Sequence, residues 1–183
     1  MNMTDIIDSL MNDYAHAPAA GDFAHAVTAG RYAHATTTGR GACATTAGGY
    51  AHAATTGGYA HATTTGRGAC ALTAGSGAHA TTVGGDADAT TTGIFAHATT
   101  AGGHAHATAT GDHARASVSG ENSIAVAVGY GSCARAADGG FIVLAQYDGT
   151  AIVAVKTAQV GKDGIKPDTW YTLSPTGEFV EAE

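Results

Sequence analysis

Between Tyr14 and Gly139 the chain repeats itself every nine residues without an insertion or deletion. Fourteen copies of aromatic-Ala-His-Ala-Thr-Thr-Thr-Gly-x follow one another, as in YAHATTTGR at 32–40 and again at 59–67. Nine residues suffice for one short strand and one corner, and such a unit cannot bury an apolar face by itself. Copies must therefore stack, and the chain must fold as a solenoid. Counting the aromatic as position 1, position 2 is Ala twelve times and Ser twice, position 4 is Ala in all fourteen, position 6 is Thr, Ala or Val, and position 8 is Gly in thirteen. Positions 3, 5 and 7 vary. Alternating fixed and free positions are the two-residue period of a strand, so 2, 4 and 6 are expected inside and 3, 5 and 7 outside. The position 8 glycine is expected to take the left-handed conformation that ends each strand.

Composition decides the size of the coil. Among 183 residues there are 27 Gly but only four Phe and one Trp, so the interior must be thin enough for Ala and Thr to fill. One repeat is too short to close on itself, and three repeats would enclose a triangle too wide for Ala. Two repeats per coil, 18 residues with two strands facing across an Ala/Thr seam, satisfy the constraint and give seven coils. The 13-residue segment YAHATTTGRGACA occurs verbatim at 32–44 and 59–71, an offset of 27 residues that reads as duplication of a three-repeat block and points instead to the three-repeat coil.

The expected class is therefore all-β, a parallel β-solenoid over residues 14–139 with both open ends capped. Residues 1–13 are expected to form the N-terminal cap, a short helix at Thr4–Met11 with Thr4 as N-cap. Residues 140–183 are expected as a C-terminal β-hairpin cap, with strands at Phe141–Tyr147, Thr150–Lys156, Trp170–Leu173 and Glu178–Val180. That cap is expected to cover Ile124, Val126 and Val128, which the repeat phase places outside.

The formal net charge is −7, yet the repeat region holds six acids and five arginines and is almost neutral. It lacks the basic stripe that direct nucleic-acid binding needs and the dense carboxylates of a DNA mimic. No apolar run approaches the ~20 residues of a membrane span. Three cysteines, an odd number, behind an acidic N-terminus point to a reduced, cytoplasmic setting.

The AHATTTG repeats, followed by NSIAVAVGYGS at 122–132, IKPDTWYTL at 165–173 and GEFVE at 177–181, resemble a group of repeat proteins encoded in bacteriophage and prophage genomes. The resemblance spans nearly the whole chain. It implies a setting, the host-cell cytoplasm, rather than a chemistry. Separately, NSIAVAVGYGSCARA at 122–136 is similar to the stacked repeats of trimeric autotransporter adhesin heads, which implies the solenoid but not adhesion.

Three groups of side chains are candidate sites. On an 18-residue coil, Tyr14, Tyr32 and Tyr50 stack along one edge, and Phe23, Tyr59 and Phe95 alternate with Gly41 and Gly77 along the other. Such aromatic stripes either stiffen the corner or form a binding edge, since aromatic anchors dominate interfaces. His16, His34 and His52 form one ladder and His61, His79 and His97 a second on the opposite face. These are either solvated stacks or a metal- or pH-responsive surface. Asp86, Asp88, His104 and His106 fall on one patch, either a simple Asp–His charge pairing or a His₂Asp₂ ligand set for zinc; no other cofactor is indicated. Cys43 and Cys70, in identical RGACA contexts three repeats apart, are expected on opposite faces.

No nucleophile stands in a unique environment, and no zinc-protease or paired-cysteine motif occurs. The expected function is that of a non-enzymatic interaction protein, a homo-oligomeric rod binding a protein partner. In a phage setting this is an inhibitor of a host defence component, such as anti-CRISPR or anti-restriction, or alternatively a virion protein. Two further functions compete with it: ice binding through Thr-x-Thr pairs (Thr36/Thr38, Thr63/Thr65, Thr90/Thr92, Thr108/Thr110), and metal sequestration by the histidine ladders.

Overall fold

A computed structural model describes residues 14–162 and 164–182. The helix expected at Thr4–Met11 lies outside those residues, and no helix occurs among the described ones. From His16 onward each repeat contributes one strand running from position 3. The first eleven, β1 (His16–Ala20) to β11 (His106–Thr110), have five residues. Three of four follow: β12 (Arg115–Val118), β13 (Ile124–Ala127) and β14 (Cys133–Ala136). Odd-numbered strands stack in one parallel sheet and even-numbered strands in the other. His34 lies in register with His52, and His61 with His79, each 18 residues on. The coil is thus two repeats long, and the chain makes about seven turns.

The duplication at an offset of 27 residues does not contradict this. Its copies begin at Tyr32 and Tyr59 and place their strands, β3 (His34–Thr38) and β6 (His61–Thr65), in opposite sheets. One sequence therefore serves both faces equally well.

Positions 2, 4 and 6 point inward as the alternation requires. From Ala26 to Ala134 the position 4 alanines are buried, and the position 2 alanines from Ala33 to Ala114 are almost completely so. Two sheets can meet over a methyl group only if their backbones approach closely, and the corners show how closely. A Cβ built on Gly48 would fall onto the carbonyl of Gly30, one coil earlier. The same residue sits at φ +141°, a region open essentially to glycine alone. From Gly39 to Gly111 the position 8 glycine is therefore fixed twice over, by conformation and by space. The left-handed helical conformation expected there occurs instead at position 1, where Phe23, Tyr50, Tyr59 and Phe95 have φ of 58–59°. Bulky residues normally avoid that region at ~1–2 kcal/mol. Here the position 1 N–H is engaged by the next coil, as in Phe23 to the Arg40 carbonyl (2.8 Å) and Tyr59 to the Ser76 carbonyl (2.9 Å).

Position 6 holds a chemical cost. The hydroxyls of Thr28, Thr37, Thr46, Thr55, Thr64, Thr73, Thr82, Thr91 and Thr100 are all buried without a hydrogen-bond partner. Each forgoes the solvation of a polar group, while its methyl packs as a valine methyl would. By contrast, Ser123 and Ser132, at position 2 of the last two repeats, bond to the previous coil, for example Ser132 Oγ to the Gly111 carbonyl (3.0 Å).

The C-terminal segment departs from the expected separate cap. β15 (Phe141–Asp148) pairs parallel with β13 as an eighth strand of the odd sheet, and Ile142 and Leu144 occupy the buried columns beyond Ala125 and Ala127. This turn is 17 residues long, since Ile124 aligns with Phe141. β16 (Ala151–Gln159) then returns antiparallel along β15 after the expected Asp148-Gly149 turn. β17 (Tyr171–Leu173) closes the even sheet antiparallel to β14, and β18 (Phe179–Glu181) lines β17. Ile142, Leu144, Val160, Ile165 and Tyr171 plug the end of the alanine seam. Because β15 joins the sheet edge to edge, it extends that face instead of folding over it. Ile124, Val126 and Val128 remain half-buried, contrary to the expectation that the cap covers them.

Two substitutions test this core. Ala62 stacks between Ala44 and Ala80 in a seam with no space for more atoms, so Ala62→Leu should cost ~3 kcal/mol or more in a urea melt, the upper end for overpacking. Thr82→Val should do the reverse. Its column neighbour Thr100 is followed by the buried Val118, so the site accepts valine, and removing an unpaired hydroxyl should raise stability by ~1–2 kcal/mol.

Candidate functional site

The corners after odd-numbered repeats carry the column Phe23, Gly41, Tyr59, Gly77, Phe95, His113, Gly131. Its glycines are where the preceding ring needs room. A Cβ on Gly41 would lie 2.8 Å from the Phe23 ring, and one on Gly77 would lie 2.9 Å from that of Tyr59. Phe23, Tyr59 and Phe95 therefore stand at every second coil, ~9.6 Å apart by strand spacing. They are 70%, 61% and 57% exposed. Beyond Phe95 the column becomes continuous. His113 stacks on Phe95 (5.3 Å between ring centroids), Tyr130 meets His113 edge-on (6.0 Å), and Tyr147 meets Tyr130 in the same way (6.0 Å). It ends at a groove of about 830 Å³ lined in part by His113, Tyr130, Tyr147, Leu173 and Pro175.

The opposite corners carry Tyr14, Tyr32 and Tyr50, stacked at 5.1 and 5.7 Å. Arg31 lies over the Tyr32 ring. On the first corner Arg40 lies over Tyr59, 5.9 Å from the centroid. Both aromatic stripes expected from the repeat are thus real columns. The extension through Tyr130 and Tyr147 is not foreseen by the repeat. Tyr130 stands at position 9 and Tyr147 lies beyond the repeats, so the nine-residue pattern gives no signal for either.

The two histidine ladders form as the coil length requires. His34 stacks on His16 (5.8 Å) and His52 (4.9 Å), and His79 on His61 (4.9 Å) and His97 (4.7 Å). Partial burial first, then the flanking imidazoles, hold His34 and His79 below the usual histidine range. His97 is lowered by burial and by the Arg115 guanidinium. Arg115 and Arg135 in turn hold the ring of Trp170 at 5.3 and 4.7 Å, and Arg135 Nε donates to Ser117 Oγ (2.8 Å). The cap is thereby pinned to the outer face of the even sheet. Cation–π contacts of this kind depend on the loop path before β17, which no local pattern encodes.

The four residues expected as a zinc set do not converge. His106 Nδ1 lies 3.1 Å from Asp88 Oδ1 on the outer face of the odd sheet. Asp86 instead accepts from Arg67 Nε at 2.9 Å, at the corner, and His104 occupies the corner position one coil on, at φ +58°. Strand and corner positions two residues apart point in different directions, so one coil of separation does not bring all four to one ion. Among the described residues no group of three or more His, Cys, Asp or Glu is placed to hold a metal. What forms is a single Asp–His contact, at Asp88–His106. Cys43 and Cys70 lie in opposite sheets and are unpaired, as is Cys133; burial raises the Cys70 and Cys133 thiols, with Asp88 adding to the shift at Cys70.

No protein-family model, curated protein or solved structure matches the chain.

The ladders predict acid sensitivity. A histidine whose folded pKa is depressed contributes stability above its unfolded pKa, here 6.5, and loses it as pH falls through the folded value. The urea midpoint should therefore drop between pH 7.5 and pH 5.5. In His34→Gln/His79→Gln the drop should be smaller, and equal pH dependence in both proteins would assign the acid sensitivity elsewhere.

Proposed function

We propose that this solenoid is a non-enzymatic binding rod that holds a macromolecular partner against the Phe23–Tyr59–Phe95 corner. The observation that carries the reading is the combination of exposure and rigidity in that column. Three large rings are more than half exposed, yet their backbone is locked at positive φ and tied by hydrogen bonds to the next coil. Little conformational entropy remains to be lost on association, which favours affinity, and aromatic side chains fixed in place are the usual anchors of interfaces. Arg40 beside Tyr59 adds a cationic, planar contact, next to Asp22, whose carboxylate accepts from the Arg40 backbone N–H (3.0 Å).

The partner proposed is a protein of a bacterial defence system, restriction or CRISPR, which the rod occludes in the host cytoplasm. The likeness of the AHATTTG repeats and the Ile165–Leu173 segment to phage- and prophage-encoded proteins supports that setting. The nearly neutral repeat region, with six acids and five arginines, favours a protein partner over direct contact with nucleic acid.

Phage plating tests the proposal. Expressing the chain in a defence-bearing strain should restore plaque formation by at least ~10-fold. The exposed-site variant Phe23→Ser/Tyr59→Ser/Phe95→Ser should lose that effect, and it should also lose the defence protein retained by the wild type in a pull-down, while keeping its urea midpoint. Unchanged plating across restriction- and CRISPR-bearing hosts would sink the defence role. Equal retention by the triple variant would move the binding surface off this corner.

A further inference from the structure

The Phe23–Tyr59–Phe95 corner is a row of rings separated by notches. The ring of Phe23 lies over Gly41 and that of Tyr59 over Gly77, where a Cβ would come within 2.8 and 2.9 Å of them. Neither glycine sends a side chain into the space before the next ring. Each notch is therefore bounded by two rings, Phe23 and Tyr59 at Gly41, Tyr59 and Phe95 at Gly77. The notches repeat every two strand spacings, ~9.6 Å. Gly58, Ser76 and Ile94 precede Tyr59, Gly77 and Phe95 in the chain, so this stretch of the corner is uncharged.

That repeat selects among regular peptide conformations. Residues on one face of a strand recur every ~6.8 Å, and those on one face of an α-helix after about one or two turns, ~5.4 or ~10.5 Å. On a polyproline II helix every third residue returns to the same face after ~9.3 Å, the closest match to the notches. A proline ring is compact and apolar, and its segment is already extended, so little order is lost on docking. Carbonyls of such a segment have no internal partner, and the Arg40 guanidinium over Tyr59 can donate to them. The far end of the same column shows the combination within the chain. There Pro175 lines one groove with His113, Tyr130 and Tyr147, and Gln146 Nε2 donates to the Pro175 carbonyl (2.8 Å).

We infer that the partner docks on this corner through a Pro-x-x-Pro segment in the polyproline II conformation. The segment runs along the rod, with one proline in the notch at Gly41 and the next in the notch at Gly77. The inference rests on the reading of this corner as the binding surface and adds the chemistry of what is bound there.

Fluorescence polarisation with two labelled peptides of equal composition tests it. One carries proline at every third position with glutamine between; the other carries proline at every second position, followed by the remaining glutamines. The full chain should bind the first at least ~10-fold more tightly. Gly77→Tyr fills one notch without removing a ring. The backbone accepts it, since Gly77 has φ +66° and Tyr59, at the equivalent position, +59°, and Tyr32 stacks between Tyr14 and Tyr50 on the opposite corner. This variant should lose the preference for the first peptide, whereas an indiscriminate aromatic surface would gain affinity from the added ring. Tyr59→Ser merges the two notches and should lose the preference too, which keeps the test decisive should Gly77→Tyr fail to fold. Equal binding of both peptides by the wild type, or of neither, overturns the inference, as does a folded Gly77→Tyr that keeps the preference. Retention of the defence protein by a chain that binds neither peptide would reject the proline-rich segment and leave the corner as the docking surface.

Discussion

Everything in this molecule follows from two β-sheets that approach until methyl groups fill the space between them. Ala at position 4 of every repeat, and at position 2 of the first twelve, sets that approach. Dispersion between well-packed atoms is small per contact and large in sum, and here it is collected by repetition instead of by side-chain size. The same closeness leaves the corner no room for a Cβ at position 8. Glycine there turns the chain within three residues, and position 1 takes a positive φ at Phe23 and from Gly41 to Gly131, with its side chain thrown outward. The exposed aromatic columns are thus a mechanical result of the thin interior.

Exposure and order are unusually compatible in such a scaffold. In most domains the large side chains that face water sit on loops, and recognition costs them conformational freedom. In this solenoid the corner is part of the hydrogen-bonded ladder, coil to coil, from Gly21 to His113. A ring at position 1 has a backbone as fixed as that of a core strand. The histidine ladders share this property on the flat faces, with ring spacings of 4.7–5.8 Å set by the strand spacing.

The repeat makes much of this legible. Invariance of Ala at position 4 identifies the inward face, and the smallness of that residue selects two repeats per coil over three; the columns of Tyr14, Tyr32 and Tyr50 and of His16, His34 and His52 then follow by counting. What escapes is whatever depends on non-repeating geometry. The 17-residue last turn, which lets Ile142 and Leu144 enter the sheet, hinges on one residue fewer at a corner and leaves no periodic trace. Trp170 between Arg115 and Arg135 is a contact between segments with unrelated patterns. The Asp86–Arg67 pair defeats the zinc set because charge attraction acts between corner positions, and strand register says nothing about corner side chains. Position 8 takes a different basin of positive φ from the one expected, because glycine permits several and only the neighbouring carbonyl selects among them.

The parity of the coil bears on how such a gene can change length. Slippage between copies adds or deletes whole repeats. An even number inserts or removes complete coils, leaving every downstream residue on its original face and the plug of Ile142 and Leu144 in its original sheet. An odd number, such as the three-repeat block shared by 32–44 and 59–71, transfers everything beyond it to the opposite sheet. The interior tolerates this, since both sheets present the same alanines. The exterior does not: the cysteine of the first block, Cys43, looks out from one side of the rod and its copy, Cys70, from the other. Recombination can therefore redistribute the molecule's surface chemistry between its two faces in a single event, without altering one buried contact of the repeat.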